Sequence, residues 1–222
     1  MAELKFVVDA AAAGPILEWA RTRLRPDPNG TGPFHDEYKT TSVYFDTSRF
    51  DIFNQTGSFA RCKYRVRRYE AEPDVFLERK LSRPGVSSKR RTRVPLANLA
   101  DAASVTNPGS WFWRRIDLRR LRPVCQVSYT RVARVQATDA GEARLTLDEG
   151  IRARQIGTLE FPTGEGELVM GLDRILELKF AGAFPPLFEA FLEAFRLVPQ
   201  PASKYRQSVA RLGLPHSPAA RR

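Results

Sequence analysis

The 222-residue sequence is poor in the side chains that usually build metal centres or nucleophilic sites: it has two cysteines, Cys62 and Cys125, and two histidines, His35 and His216. Two distant cysteines exclude a disulfide framework and a zinc-finger type of site; both read as core residues. No Ser/His/Asp or Cys/His set is evident, which sets aside the usual covalent catalytic machinery. Nowhere do about eighteen apolar residues run together, so no helix is expected to cross a membrane. The charged start Glu3-Leu4-Lys5 leads into no apolar signal run. The expectation is a cytoplasmic protein. With no internal repeat or low-complexity linker, it reads as one domain over residues 1–215, followed by a disordered tail at 216–222.

Negative charge is also scarce. Against 36 Lys and Arg stand 25 Asp and Glu, giving a net charge of +11 and a pI near 10.2. Such a balance predicts attraction to polyanions without choosing among nucleic acid, anionic membrane and free phosphate compounds.

What is present is a series of strand-like runs: 4–8, 41–45, 59–69, 75–80, 89–94, 124–135, 143–147 and 172–180. Asp9 is placed to cap a helix carrying Ile16, Leu17, Ala20 and Leu24, broken by the Pro and Gly of residues 25–30. Helical pieces are expected at 96–103 and 111–121. A clearer helix starts at Pro185-Pro186 with Phe188, Phe191 and Phe195 on one stripe, and a last one follows Ser203. The fold class is therefore α+β: an eight-stranded antiparallel β-barrel with flanking helices.

The charges alternate along these strands, and alternate residues share a face. Arg61, Lys63, Arg65 and Arg67 face one way, while Cys62, Tyr64 and Val66 face the core. Glu3 with Lys5, Glu78 with Lys80 and Glu177 with Lys179 each share a polar face opposite an apolar one. Arg144, Thr146 and Asp148 form another such set, as do Tyr129 with Arg131 and Lys89 with Arg91. An interior lined by so many cations is unfavourable when empty and dry, and sensible when it holds water and phosphates. The interleaved carboxylates Glu3, Glu78, Asp148 and Glu177 suit a hard divalent cation bridging phosphate oxygens. Cations plus a metal around a transferring phosphoryl group meet the main needs of phosphoryl transfer.

In order along the chain stand Glu3-Leu-Lys5, Tyr44-Phe-Asp46-Thr47, Lys63 to Tyr69, Leu77-Glu-Arg-Lys80, Lys89-Arg90, Tyr129-Thr-Arg131, Arg144 to Asp148, Leu176 to Lys179 and Ser203-Lys-Tyr205. This set resembles the catalytic domain of the vacuolar transporter chaperone (VTC) polyphosphate polymerases, members of the triphosphate tunnel metalloenzymes, over nearly the whole chain. The resemblance implies a triphosphate tunnel in which the γ-phosphoryl group of ATP passes to a growing inorganic polyphosphate, with Mn2+ or Mg2+ as cofactor. It implies catalytic roles for Lys5, Arg65, Arg67, Lys80, Arg131, Arg144 and Lys204. Phosphate binding falls to Lys89 and Ser203, and Glu177 becomes a metal ligand. Arg61, Lys63, Lys179 and Tyr129 are added as phosphate-binding residues, and Glu3, Glu78 and Asp148 as metal ligands, from their places on the charged faces. Related hydrolases and cyclases open with two glutamates before the lysine; here the first position is Met1, which agrees with the polymerase branch. The fungal complex's regulatory domain and membrane helices have no counterpart here. A membrane-protein partner is therefore expected, with the protein peripheral to the inner face of the membrane.

Individually, these pairs also fit solvated strand faces with cross-strand ion pairs; the ordered set favours the tunnel. A triphosphatase on the same fold and a non-catalytic polyphosphate-binding module are the alternatives, with nucleic acid the disfavoured partner. Trp111, Phe112 and Trp113 read as packing. Arg114, Arg115, Arg119, Arg120 and Arg122 read as a solvated helix face that could also dock on anionic lipid or on a product chain.

Overall fold

The computed structural model describes residues 2–70, 72–83, 86–99 and 108–216. The elements are β1 (Ala2–Val8), α1 (Ala10–Arg23), β2 (Arg25–Pro26), β3 (Glu37–Asp46), β4 (Cys62–Tyr69), β5 (Asp74–Arg83), β6 (Val86–Pro95), α2 (Ser110–Leu118), β7 (Arg122–Thr138), β8 (Gly141–Gln155), β9 (Glu167–Leu168), β10 (Arg174–Phe180), α3 (Pro186–Phe195) and α4 (Lys204–Arg211). The α+β class holds, and the strands pair antiparallel.

The chain forms two compact units. The first comprises Met1–Lys39, Tyr129–Ile151 and Met170–Ser203; the second comprises Thr40–Ser128, Arg152–Val169 and Lys204–Arg222. In the first unit the strand order is β1-β10-β8-β7, with the two-residue β2 on β7. One face of these strands carries Phe6, Leu145, Leu147, Leu176 and Leu178, all buried, under Ile16 and Ala20 of α1 and Phe188 and Phe191 of α3. Helix α1 starts where the Asp9 carboxylate accepts the Ala12 backbone N–H at 2.8 Å, satisfying a donor that the first turn leaves unpaired. Helix α3 opens on Pro186, whose missing N–H has no partner to lose there.

In the second unit the order is β3-β4-β5-β6, with the short β9 on β8. Helix α2 packs Phe112 edge-on to Phe45, with ring centroids 5.7 Å apart, and beside Tyr64. Cys62 and Cys125 are buried and free, and burial holds the Cys125 thiol well above the ordinary cysteine range.

Several boundaries differ from the sequence reading. Residues 57–59 form a 3₁₀ turn and β4 begins at Cys62, so Arg61 lies in a turn and not on the strand. In this turn the Ala60 N–H donates to the Gly57 carbonyl at 3.3 Å and the Cys62 thiol to that of Ser58 at 3.5 Å. Strands β3 and β8 run longer than their apolar cores suggested, since polar ends still extend the backbone ladder. Of the expected 96–103 helix, only a 3₁₀ turn at Leu96–Asn98 is seen; residues 100–103, like the tail from 217 on, lie outside the described residues. Among the described residues no helix is long and apolar enough to cross a membrane.

Phe188 is fully buried in the first unit's core, and its truncation leaves a cavity that the rigid sheet cannot close. Phe188→Ala should cost about 3–5 kcal/mol of stability, read as a lower urea midpoint.

Candidate functional site

Each unit presents one charged strand face. In the first, the register sets Glu3 opposite Lys179 and Lys5 opposite Glu177. The Lys5 Nζ lies 2.9 Å from Glu3 Oε1 and 3.1 Å from Glu177 Oε1. Burial works against its charge, but Glu177 and Glu3 outweigh this and hold its pKa above the ordinary lysine range. The other Glu177 oxygen accepts from Lys179 at 2.8 Å, yet burial prevails at Lys179 and lowers its pKa. On the neighbouring strands Arg131 grips Asp148 with both arms of its guanidinium, at 2.5 and 2.7 Å. Both residues are buried, and Arg131 lies 3.9 Å from Glu177. Arg144 is held by Asp27 at 2.7 Å and by the Tyr38 hydroxyl at 2.9 Å. Thr146, opposite Glu177, is buried with no hydrogen-bond partner for its hydroxyl among the described residues.

The second unit's face is far more positive. Glu78, opposite both Arg65 and Arg91, is bonded by Arg65 at 2.5 Å, Lys89 at 2.6 Å and Arg91 at 3.3 Å. Burial alone would raise its pKa, but Arg65, Arg67 and Lys89 hold it well below the usual carboxylate range. Lys63 and Lys80 stand directly opposite each other, as do Lys80 and Lys89. Arg67 donates to Ser42 at 3.2 Å, and Arg65 donates to the Tyr44 hydroxyl at 3.1 Å. Burial raises the Tyr44 phenol, but Arg65 and Arg67 outweigh it and lower its pKa. For Lys89, burial and the nearby Arg65 and Arg67 prevail over Glu78, and its pKa falls to about 8.

Tyr205 of α4 stacks on Tyr44 with centroids 5.1 Å apart and donates to the Asp46 carboxylate. The same carboxylate accepts the backbone N–H groups of Thr47, Ile52 and Phe53 at 2.7, 2.9 and 2.9 Å. Lys204, the first residue of α4, is thereby held almost buried and close enough to act on the Tyr44 phenol.

Of the residues expected from sequence, Glu3, Lys5, Tyr129, Arg131, Arg144, Asp148, Glu177 and Lys179 share the first unit's charged strands. Lys63, Arg65, Arg67, Glu78, Lys80 and Lys89 share the second's. Ser203 ends the first unit's last segment, just before α4, and Arg61 stands apart in its turn. Of the four proposed metal ligands, Glu78 lies on the second unit's strands and Asp148 is bound by Arg131. Among the described residues no three His, Cys, Asp or Glu side chains converge as a metal group. Glu3 and Glu177 do converge, on the Lys5 ammonium. Two carboxylates completed by substrate phosphates and water form the donor set that Mg2+ commonly takes, so these two fit a divalent cation. Sequence reasoning missed Ser42, Asp27 and Tyr38 as partners of the arginines, and the anchoring role of Asp46. Alternation of Ser42, Tyr44 and Asp46 with Val43 and Phe45 could have revealed the first and last; nothing marks Asp27 in its Pro-Asp-Pro loop.

The sequence profile of the VTC domain matches residues 1–213. No curated protein sequence matches the chain significantly. Among solved structures, the fold is similar to that of a Bacillus halodurans protein assigned as an adenylate cyclase, with TM-score 0.55 and 16% identity over 90% of this chain and 92% of that one. A Pyrococcus horikoshii protein gives TM-score 0.53 at 12% identity, over 95% of this chain and 99% of that one. A Hippeastrum protein, named for adenylyl cyclase and described as having a dominant triphosphatase activity, gives 0.50 at 18% identity, over 95% of each chain.

Two outcomes follow from this geometry. Asp148→Asn removes the nearer of the two counter-charges of buried Arg131, leaving Glu177 at 3.9 Å, and should cost about 3 kcal/mol, seen as a lower unfolding midpoint. The folded protein releases the Lys89 proton at about 8, earlier than an ordinary lysine near 10.5. Between those values the unfolded chain binds more protons, so stability rises with pH there. Triphosphate affinity, measured calorimetrically, should instead fall as pH rises past about 8, and Lys89→Arg should abolish that fall.

Proposed function

The chain belongs to the VTC domain family, and on that premise we propose that it is a polyphosphate polymerase: a triphosphate tunnel domain that transfers the γ-phosphoryl group of ATP to inorganic polyphosphate. The observation that carries this reading is the second unit's face, where Arg65, Lys89 and Arg91 close on Glu78 and the strand register sets Lys63 and Lys80 side by side next to them. Such a cluster of cations on one strand face suits the oxygens of a phosphate chain, which arginine takes two at a time.

In this reading a terminal polyphosphate oxygen attacks the γ-phosphorus of ATP, the bond to the bridging β,γ-oxygen breaks, and ADP leaves with the electron pair. The attacking oxygen is already ionised, so no side chain has to remove a proton. That agrees with charged faces built of lysine and arginine. Catalysis then rests on alignment and on compensation of charge that spreads over the transferring group. Catalytic roles are assigned to Arg65, Arg67, Lys80 and Lys204 on the second unit, and to Lys5, Arg131 and Arg144 on the first. Lys63, Lys89, Lys179, Tyr129 and Ser203 bind neighbouring ones. Glu3 and Glu177 would hold a Mn2+ or Mg2+ ion, which would further neutralise phosphate charge.

A second reading, a triphosphatase with water as acceptor, is favoured by the activity described for the Hippeastrum protein of the same fold. The phosphorus NMR spectrum of ATP incubated with the protein, Mn2+ and a short primer separates the two. A growing internal-phosphate resonance with ADP is expected. Orthophosphate with ADP supports the triphosphatase, and unchanged ATP leaves only a binding module. Arg65→Ala should lower kcat by about 10²–10³, and Glu177→Gln should make turnover insensitive to added Mn2+.

A further inference from the structure

Several arginines of the described residues are paired with acids, whereas a clustered group on the second unit is not. Strands β5 and β6 set Arg79 directly opposite Arg90, on the face away from Glu78. Trp111 of α2 lies against both, 5.9 Å from Arg79 and 4.3 Å from Arg90, and its indole N–H donates to Thr92 at 2.8 Å. Further along, Arg119 lies 4.9 Å over the Phe59 ring. Arg79, Arg115 and Arg119 all lie near the Tyr64 phenol. Among the described residues none of Arg79, Arg90, Arg114, Arg115 or Arg119 pairs with a carboxylate. By contrast Arg91 and Arg93, alternating with Arg90 on β6, are paired with Glu78 and Asp74.

Helix α2 gives this group an outward stripe. Phe112 and Ile116 are buried, whereas Trp111, Arg114, Arg115 and Leu118 follow the i, i+3, i+4, i+7 spacing of a single helix face. Arg114 and Arg115 are exposed, and Leu118 is 75% exposed, an apolar tip set among cations. Asp117, the helix's one acid, falls on the other flank. A purely ionic ligand gains nothing from an exposed leucine. A bilayer surface does, because the leucine enters the acyl boundary while guanidinium forks take headgroup phosphates.

We propose that the α2 stripe with Arg79 and Arg90 is a docking surface for an anionic lipid membrane. The inference rests on the helix and the outer strand face alone and does not depend on the chemistry proposed above.

The test is sedimentation of the full chain with phosphatidylcholine vesicles, with and without phosphatidylglycerol. Binding is expected only to the anionic vesicles, weakening with salt. The double variant Arg114→Glu/Arg115→Glu should lower affinity about tenfold or more, and Leu118→Ser should lower it as well. Arg23→Glu/Arg196→Glu, an equal charge change at exposed positions of the first unit, should retain binding. Equal loss in that control overturns the patch. Loss in the arginine variant with Leu118→Ser unaffected overturns the lipid occupant in favour of a soluble polyanion. Absence of binding by the wild-type chain overturns the proposal entirely.

Discussion

Glu78 is the point on which the second unit's charge arrangement depends. Three cations from two strands close on one nearly buried carboxylate, and without it Arg65, Arg91 and Lys89 would repel one another across adjacent backbones. Unfavourable burial of an acid is here repaid by cations that would otherwise be unfavourable themselves. The positive charge of this face is thus gathered around one acid that holds it together.

The first unit meets the same problem differently. Its acids and bases alternate across the β1–β10 register, and its buried Arg131 is held by both oxygens of Asp148. Little net charge remains. What it offers instead is a pair of carboxylates, Glu3 and Glu177, that share one lysine. One face thus gathers cations around an acid, and the other gathers acids around a cation.

Much of this was legible in the sequence, because strand alternation writes a face directly into the spacing of residues. Leu176, Leu178 and Phe180 against Glu177 and Lys179 could hardly be read otherwise, and the charged strands and the helices around Ile16 and Phe188 were recovered from pattern alone. What the spacing could not carry were contacts between distant segments. That Arg144 finds Asp27 and Tyr38, or that Asp148 is committed to Arg131, is decided by tertiary placement. Arg61 shows the opposite error: it continues the alternation perfectly, but the strand has not yet begun, because alternation marks faces and not ends.

Asp46 and Tyr205 are separated by 159 residues, and the hydrogen bond between them gives that distance a temporal meaning. Chains emerge from the ribosome in order, and long loops close only when both ends exist. Strands β3 to β6 are synthesised first, and the tyrosine that seats α4, and with it Lys204, follows well over a hundred residues later. During synthesis the cationic strand face therefore exists before the lysine that completes it. A nascent chain that has not yet reached α4 presents that strand face without Tyr205 on Asp46 and without Lys204 beside it.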